Sequence, residues 1–308
     1  MSLRVNFCGL PFSTPIVMLS GSNGFGNTYT RIEGFSYQDV GAVFLNGTTL
    51  QPRGGYPPHR LAETALGLLS ATGWPNPGVD AVVNTILPAF ATEVTHICAN
   101  VCGFTIEEYV EVTRRFDDTS VAAIELNLSC PRDQADGNIF DDDLEHSARI
   151  VAACRAVTTK PLITKLSAHH ADIRAMARRC IDAGTSALSL INTVPGAAIN
   201  IESRRSVLGQ LSAGLSGAAI KPIAILNVMQ VAEIARPYGV AVIGQGGVRT
   251  PEDAIEFMIA GADVVGVCTG LYYDPLVCTK INAGIAAYLA RHHLSGVAQL
   301  TGSLHTQG

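Results

Sequence analysis

Aromatic side chains make up only 6% of this chain and charged ones 15%, and neither kind is gathered into a run. No Lys/Arg block is present to neutralise a phosphate backbone. With a net charge of −5 and a pI of 5.9, the surface does not attract nucleic acid, and none is expected as a partner. No apolar run reaches the roughly 18 residues of a membrane span, and no signal peptide is seen. The expectation is therefore a cytoplasmic protein without a membrane partner. The eight cysteines form no paired framework and read as reduced thiols. Cys98 and Cys102 make a CxxxC, but no second pair follows, so no zinc site is expected. No cluster of carboxylates and histidines suggests another metal.

What the chain does have is apolar content. Of its 308 residues 47% are hydrophobic, 30 are glycine, and the mean hydropathy is +0.26, as in a chain with one large core. Short runs of Val, Ile, Leu and Ala recur at Pro15–Leu19, Ala42–Asn46, Thr95–Val101, Ala122–Ser129, Pro161–Leu166, Ala187–Thr193, Val240–Gly244 and Val264–Thr269. They do not alternate with polar residues, which is the pattern of parallel strands buried on both faces. Amphipathic segments lie between them, at Thr105–Phe116, Asp142–Thr158, Ala171–Ala183, Ala219–Arg236 and Pro251–Ala260. Thr250, Pro251, Glu252 and Asp253 form a helix start, with a capping hydroxyl, Pro at the first position and acids in the first turn. The fold class is α/β: a (β/α)8 TIM barrel in a single domain over residues 1–308. An open doubly wound sheet is the alternative. Residues 4–12 read as an N-terminal β-hairpin that plugs the barrel bottom, and Gln51–Pro58 and Ala71–Gly78 as long loops.

In such a barrel chemistry sits at the C-terminal strand ends. Those ends carry Ser20-Gly21, Asn46, Asn100, Asn127 with Cys130, Lys165, Asn192-Thr193, Gly246-Gly247 and Cys268-Thr269-Gly270. Glycines at the last two adjacent ends suit a phosphate, because backbone N–H groups can approach an anion there; the plain alternative is two tight turns. Lys165, in an apolar strand, needs a partner. It either pairs with Glu125 on the preceding strand or holds negative charge on a cofactor. Asn127 and Asn192 either read a ring bearing N–H and C=O or make local turns. Cys130 is either an inert thiol or a reactive one at a rim. No histidine falls on a strand end to pair with it: His169-His170 follows the fifth strand, and His292-His293 lies in the C-terminal helix.

Five motifs then occur in order: Asn127-Leu128-Ser129-Cys130-Pro131, Lys165-Leu166-Ser167, Ile191-Asn192-Thr193, Gly214-Leu215-Ser216-Gly217 with Ile220-Lys221-Pro222, and Gly246-Gly247-Val248. In these the chain resembles the class 1 dihydroorotate dehydrogenases over nearly its full length. Thr48 to Arg53, Arg60 to Thr64 and Asn76-Pro77-Gly78 resemble the class 1B branch. The FMN domain of dihydropyrimidine dehydrogenase is a more distant relative. The resemblance implies FMN on the rim, its phosphate at Gly246-Gly247 and Cys268-Thr269. Ser20, Gly21, Asn46, Gly47, Asn100, Asn127, Lys165, Asn192 and Gly217 would surround the rest of the cofactor. It implies that Lys165 stabilises the reduced flavin and that Cys130 is the base removing a ring proton. Substrate contacts would come from Asn46, Ser70, Gly73, Trp74, Asn127, Arg132, Asn192 and Thr193. Family members are homodimers, and class 1B pairs with a second subunit carrying FAD and a [2Fe–2S] cluster.

Four positions depart from the family. A lysine after the second strand is Asn46 here, a substrate asparagine is Ser70, an asparagine two residues after the catalytic cysteine is Arg132, and a leucine near the substrate is Trp74. The expected activity is oxidation of dihydroorotate to orotate in pyrimidine biosynthesis by an FMN-dependent dehydrogenase. The alternatives are a paralogue acting on another dihydropyrimidine, cyclic amide or conjugated acid, a non-catalytic flavin-binding subunit, and an aldolase-like barrel using Lys165 as a Schiff-base amine. Arg132 either replaces the missing cation toward an acid group or points to solvent.

Overall fold

The apolar runs become strands because residues without polar alternation can be covered on both faces only inside a sheet flanked by helices. The computed structural model describes residues 2–90, 95–128, 143–168 and 172–305. Its barrel strands are Ile16–Met18, Ala42–Thr48, His96–Val101, Ala123–Asn127, Leu162–Leu166, Ala187–Leu190, Ala241–Gln245 and Val264–Val267. Each pairs in parallel with the next, and the eighth pairs with the first, Val265 opposite Ile16. That closing pair excludes the open doubly wound sheet.

Helices follow the later strands: Ile106–Asp117, Leu144–Arg155, Ile173–Asp182, Lys221–Ala235 and Pro251–Ala260. Their starts are set by side chains that accept from otherwise orphaned N–H groups. Thr105 accepts from Glu108 N, Asp143 from Glu145 N and His146 N, and Asp172 from Arg174 N and Ala175 N. Thr250 and Asp253 form a reciprocal capping box. Lys221 ties two helices together, with Nζ 2.7 Å from Asp253 and 2.8 Å from Glu256.

One expectation needs correction. The helical stretch Ala218–Tyr238 is long and apolar enough, by length and composition, to cross a membrane. It packs instead on the barrel, burying Ala224, Val228, Val231 and Ala235, and it carries Lys221, Glu233 and Arg236. Scattered charges concealed the run in the sequence.

The barrel bottom is closed as expected. Val5–Phe7 and Leu10–Phe12 pair antiparallel, and the fully buried Phe7 and Phe12 rings stack 5.3 Å apart. They pack against one ring of inward residues that includes Val17, Ala42, Cys98, Ala123, Ile163, Ala187, Ile243 and Val264.

The opposite mouth holds an element the sequence did not announce. Val194–Gly196, Ala213–Ser216, Gly67–Ser70 and Leu61–Thr64 form a four-stranded antiparallel sheet. Its strands are three or four residues long, and its central pair joins segments far apart in the chain. Pairing of that kind leaves no local periodicity to read. The loops at 51–58 and 71–78 are real but braced: Arg53 and Asn76 exchange backbone hydrogen bonds of 2.8 and 3.0 Å. His292 caps the C-terminal helix Val277–Arg291, and His293 lies beyond it; both are exposed.

Candidate functional site

Side chains of a strand alternate between faces, so residues two apart point the same way. Two residues above Cys98, Ala123, Ile163, Ala187 and Ile243 stand Asn100, Glu125, Lys165, Ser189 and Gln245. The lower five belong to the apolar plug, whereas the upper five make a polar layer that is at most 6% exposed.

Glu125 organises this layer. One carboxylate oxygen accepts from Asn100 Nδ2 and the other from Ser189 Oγ at 2.7 Å, a bond that spans the fifth strand. Lys165 is not its partner. Among the described residues the Lys165 ammonium, 6% exposed, has no hydrogen bond and no carboxylate at ion-pair distance. A buried ammonium without a counter-charge costs on the order of several kcal/mol. Of the two readings open for Lys165, the Glu125 salt bridge is therefore not formed.

Above this layer lies a cavity of about 590 Å³, in the range of a small-molecule site. It is bordered by strand ends and by the antiparallel sheet, and it gathers Ser20, Gly21, Asn46, Gly47, Ser70, Gly73, Trp74, Asn100, Asn127, Lys165, Asn192, Thr193, Gly217, Gly246, Gly247, Cys268 and Thr269. Cys130 and Arg132 lie outside the described residues, as do His169 and His170.

On one side of the cavity, Gly246 and Gly247 have φ of +125° and +86°, a region that side chains rarely enter. A Cβ at Gly247 would sit 2.8 Å from the Gly217 carbonyl, so the two backbones meet there as only glycines allow. Thr269 Oγ1 and Ser216 Oγ lie 2.9 Å apart beside them. This clustering of bare backbone and hydroxyls suits an anion.

On the other side, polar groups are already committed. Asn46 Oδ1 accepts from the Gly21 N–H at 2.7 Å, locking it to the loop after the first strand. Asn192 Nδ2 donates to Asn127 Oδ1 at 3.3 Å, and its Oδ1 accepts from Thr193 N at 3.0 Å. Tyr109 OH donates to the Asn127 carbonyl at 2.6 Å. Trp74 has φ of +54° and follows Gly73 at +70°. Asn76 holds that turn by donating to the Trp74 carbonyl at 2.8 Å, and Phe104 backs the indole, 5.7 Å between centroids. Arg53 lies over the Phe104 ring at 4.7 Å and donates to the Gly73 carbonyl at 3.3 Å. Among the described residues Lys165 is the only cation lining the cavity.

The other thiols are quiet. Burial pushes Cys154 to about 11 and Cys180 and Cys278 to about 12, so all three stay protonated at neutral pH. Burial also raises Cys268, against the pull of the Ser22 hydroxyl and the Lys165 ammonium, and its thiol donates to the Ser20 carbonyl at 3.6 Å. Motif reading missed Gln245, Tyr56, Leu68, Leu211 and Tyr272 on the cavity wall. Only Gln245 had a signal: it stands two residues above Ile243, in step with the rest of the polar layer.

The dihydroorotate dehydrogenase family model matches residues 2–289. The catalytic subunit of dihydroorotate dehydrogenase B (NAD(+)) from Geotalea daltonii is 40% identical over 303 residues, 98% of each chain. Its counterpart from Geotalea uraniireducens is 39% identical over 305 residues, covering 99% of this chain and 98% of the relative. That from Geobacter sulfurreducens is 40% identical over 303 residues, again 98% of each. The chain belongs to the dihydroorotate dehydrogenase family, in its class 1B branch of catalytic subunits, and is a dehydrogenase.

Proposed function

We propose that the protein oxidises dihydroorotate to orotate with FMN in the cavity above the polar layer. The observation that carries this reading is Lys165: a buried cation with no carboxylate at ion-pair distance among the described residues, bordering a cavity with a glycine-lined anion cradle at its other side. The residues present fit the cofactor. Gly246, Gly247, Gly217 and Thr269 would hold its phosphate, and Asn100, Asn127 and Lys165 would face its ring. When bound, FMN supplies a two-electron acceptor for the hydride leaving the saturated pyrimidine.

The chain's own part is positioning and proton transfer. Lys165 offers fixed positive charge where negative charge develops, at no reorganisation cost because the barrel already holds it. Glu125 accepts from the Asn100 amide nitrogen, which leaves the Asn100 carbonyl to face other donors, Cys102 Sγ among them at 3.5 Å. Asn192 keeps Asn127 in one orientation. Cys130 takes the proton from one ring carbon while the neighbouring carbon loses hydride, so that a C=C bond forms. A thiol of ordinary pKa near 8.5 is a few per cent thiolate at neutral pH and serves better if its site lowers that value.

The relatives are named as catalytic subunits of an NAD(+)-linked enzyme. By that likeness this chain works with a second subunit; the family resemblance implies a homodimer of one-domain barrels and a second subunit carrying FAD and [2Fe–2S] to pass electrons on. A second substrate reading is favoured by Asn46. It is bound to Gly21 and brings no charge to the position where the family has lysine. A related dihydropyrimidine or cyclic amide without a carboxylate needs no cation there, whereas orotate's acid group would turn to Arg132.

Anaerobic mixing of the purified protein with dihydroorotate, followed at the flavin's visible absorbance maximum, tests the reading. Rapid bleaching supports it. A flavin that stays oxidised with dihydroorotate but bleaches with an uncharged dihydropyrimidine favours the second substrate.

A further inference from the structure

Gln245 ends the seventh barrel strand, one residue before the Gly246-Gly247 turn, and is 2% exposed. Its Nε2 donates to the Ile191 carbonyl at 3.2 Å. A backbone carbonyl only accepts, so this bond fixes the sense of the amide: nitrogen toward Ile191, Oε1 elsewhere. Oε1 is buried and has no donor among the described residues. Its register partner on the eighth strand is Gly266, with Leu19 packed against it, so neither neighbour supplies one. The rest of the polar layer differs. Asn100, Glu125 and Ser189 satisfy each other, while Lys165 and Gln245 each keep one group unused.

Buried acceptors are nearly always bonded, and one on a ligand cavity wall is most simply bonded by the ligand. The position beside the glycine cradle narrows the choice of donor. Phosphate oxygens at neutral pH are chiefly acceptors and cannot serve Oε1. The single N–H of an oxidised flavin ring lies at its pyrimidine end, away from the phosphate. Between phosphate and ring runs a polyol chain whose hydroxyls donate. We infer that Gln245 is a cofactor-binding residue whose Oε1 accepts a hydrogen bond from a ribityl hydroxyl of the bound FMN. This rests on the FMN reading above and adds to it a side-chain contact that sets the path of the ribityl chain.

The test titrates deflavinated full-length protein with FMN and with analogues lacking the 2′-, 3′- or 4′-hydroxyl, following flavin fluorescence. Gln245→Met keeps the side-chain volume and removes the acceptor. It should weaken FMN about ten-fold, the usual scale of one buried hydrogen bond. One deoxy analogue should bind wild type and variant alike, because the contact is already absent. A variant that binds FMN as tightly as wild type overturns the inference, and so does an equal loss with all three analogues. Wild-type protein that takes up no FMN refutes the cofactor reading itself, and this inference with it. If Gln245→Met does not fold, the analogues decide on the wild type alone. One of them should lose about ten-fold, and three unchanged affinities overturn the contact.

Discussion

Five of the eight barrel strands change character over two residues. Cys98, Ala123, Ile163, Ala187 and Ile243 pack against the Phe7–Phe12 plug, whereas Asn100, Glu125, Lys165, Ser189 and Gln245 directly above them are polar and also buried. The lower ring has no group seeking a partner and contributes stability through apolar burial. The upper ring is held partly by its own hydrogen bonds and partly left open toward the cavity. Burial alone therefore does not separate these two rings; what separates them is that the upper one keeps polar groups free toward the cavity.

That contrast can be broken from either side. The largest effect is expected from the proposed base. Cys130→Ala should retain flavin yet slow its reduction by dihydroorotate by about 10²–10⁴, the range of a general base. Unchanged stopped-flow reduction would remove Cys130 from the mechanism. Next comes the plug: Phe12→Ala should cost about 3–5 kcal/mol of unfolding free energy in denaturant titrations. The reduction rate per folded molecule should stay the same. A slowed rate would mean that the bottom of the barrel shapes the site.

Lys165→Met is the sharpest comparison, because its two readouts should move in opposite directions. The flavin-free protein should resist denaturant better, since an unpaired buried charge has gone. Substrate-driven flavin reduction should fall by roughly 10²–10³. A variant that is less stable and equally fast would show the lysine to be structural. The smallest effect is expected from Arg132→Ala, a rise of about ten-fold in KM for dihydroorotate with kcat kept, as for loss of one charged contact. An unchanged KM leaves the second substrate reading standing.

Much of this was legible before the fold was known. The eight apolar runs, the Thr250–Asp253 cap and the small residues at strand ends are local signals, and the structure places them as read. The antiparallel sheet was not legible, because Ser70 meets Gly214 across more than half the barrel's circuit of chain. Which of the two open readings of Lys165 holds was not legible for a related reason. Lys165 is the near neighbour of Glu125 in sequence order of strands, but Ser189 reaches Glu125 from one strand further on.

The sequence by itself determined the barrel, its plugged end and the family, since hydrophobic pattern, turn glycines and motif order are written residue by residue. Only the tertiary structure decided which polar groups satisfy one another. Hydrogen-bond partners are chosen by distance across strands, and strand alternation brings Asn100, Glu125 and Ser189 together while leaving Lys165 and Gln245 open to the cavity.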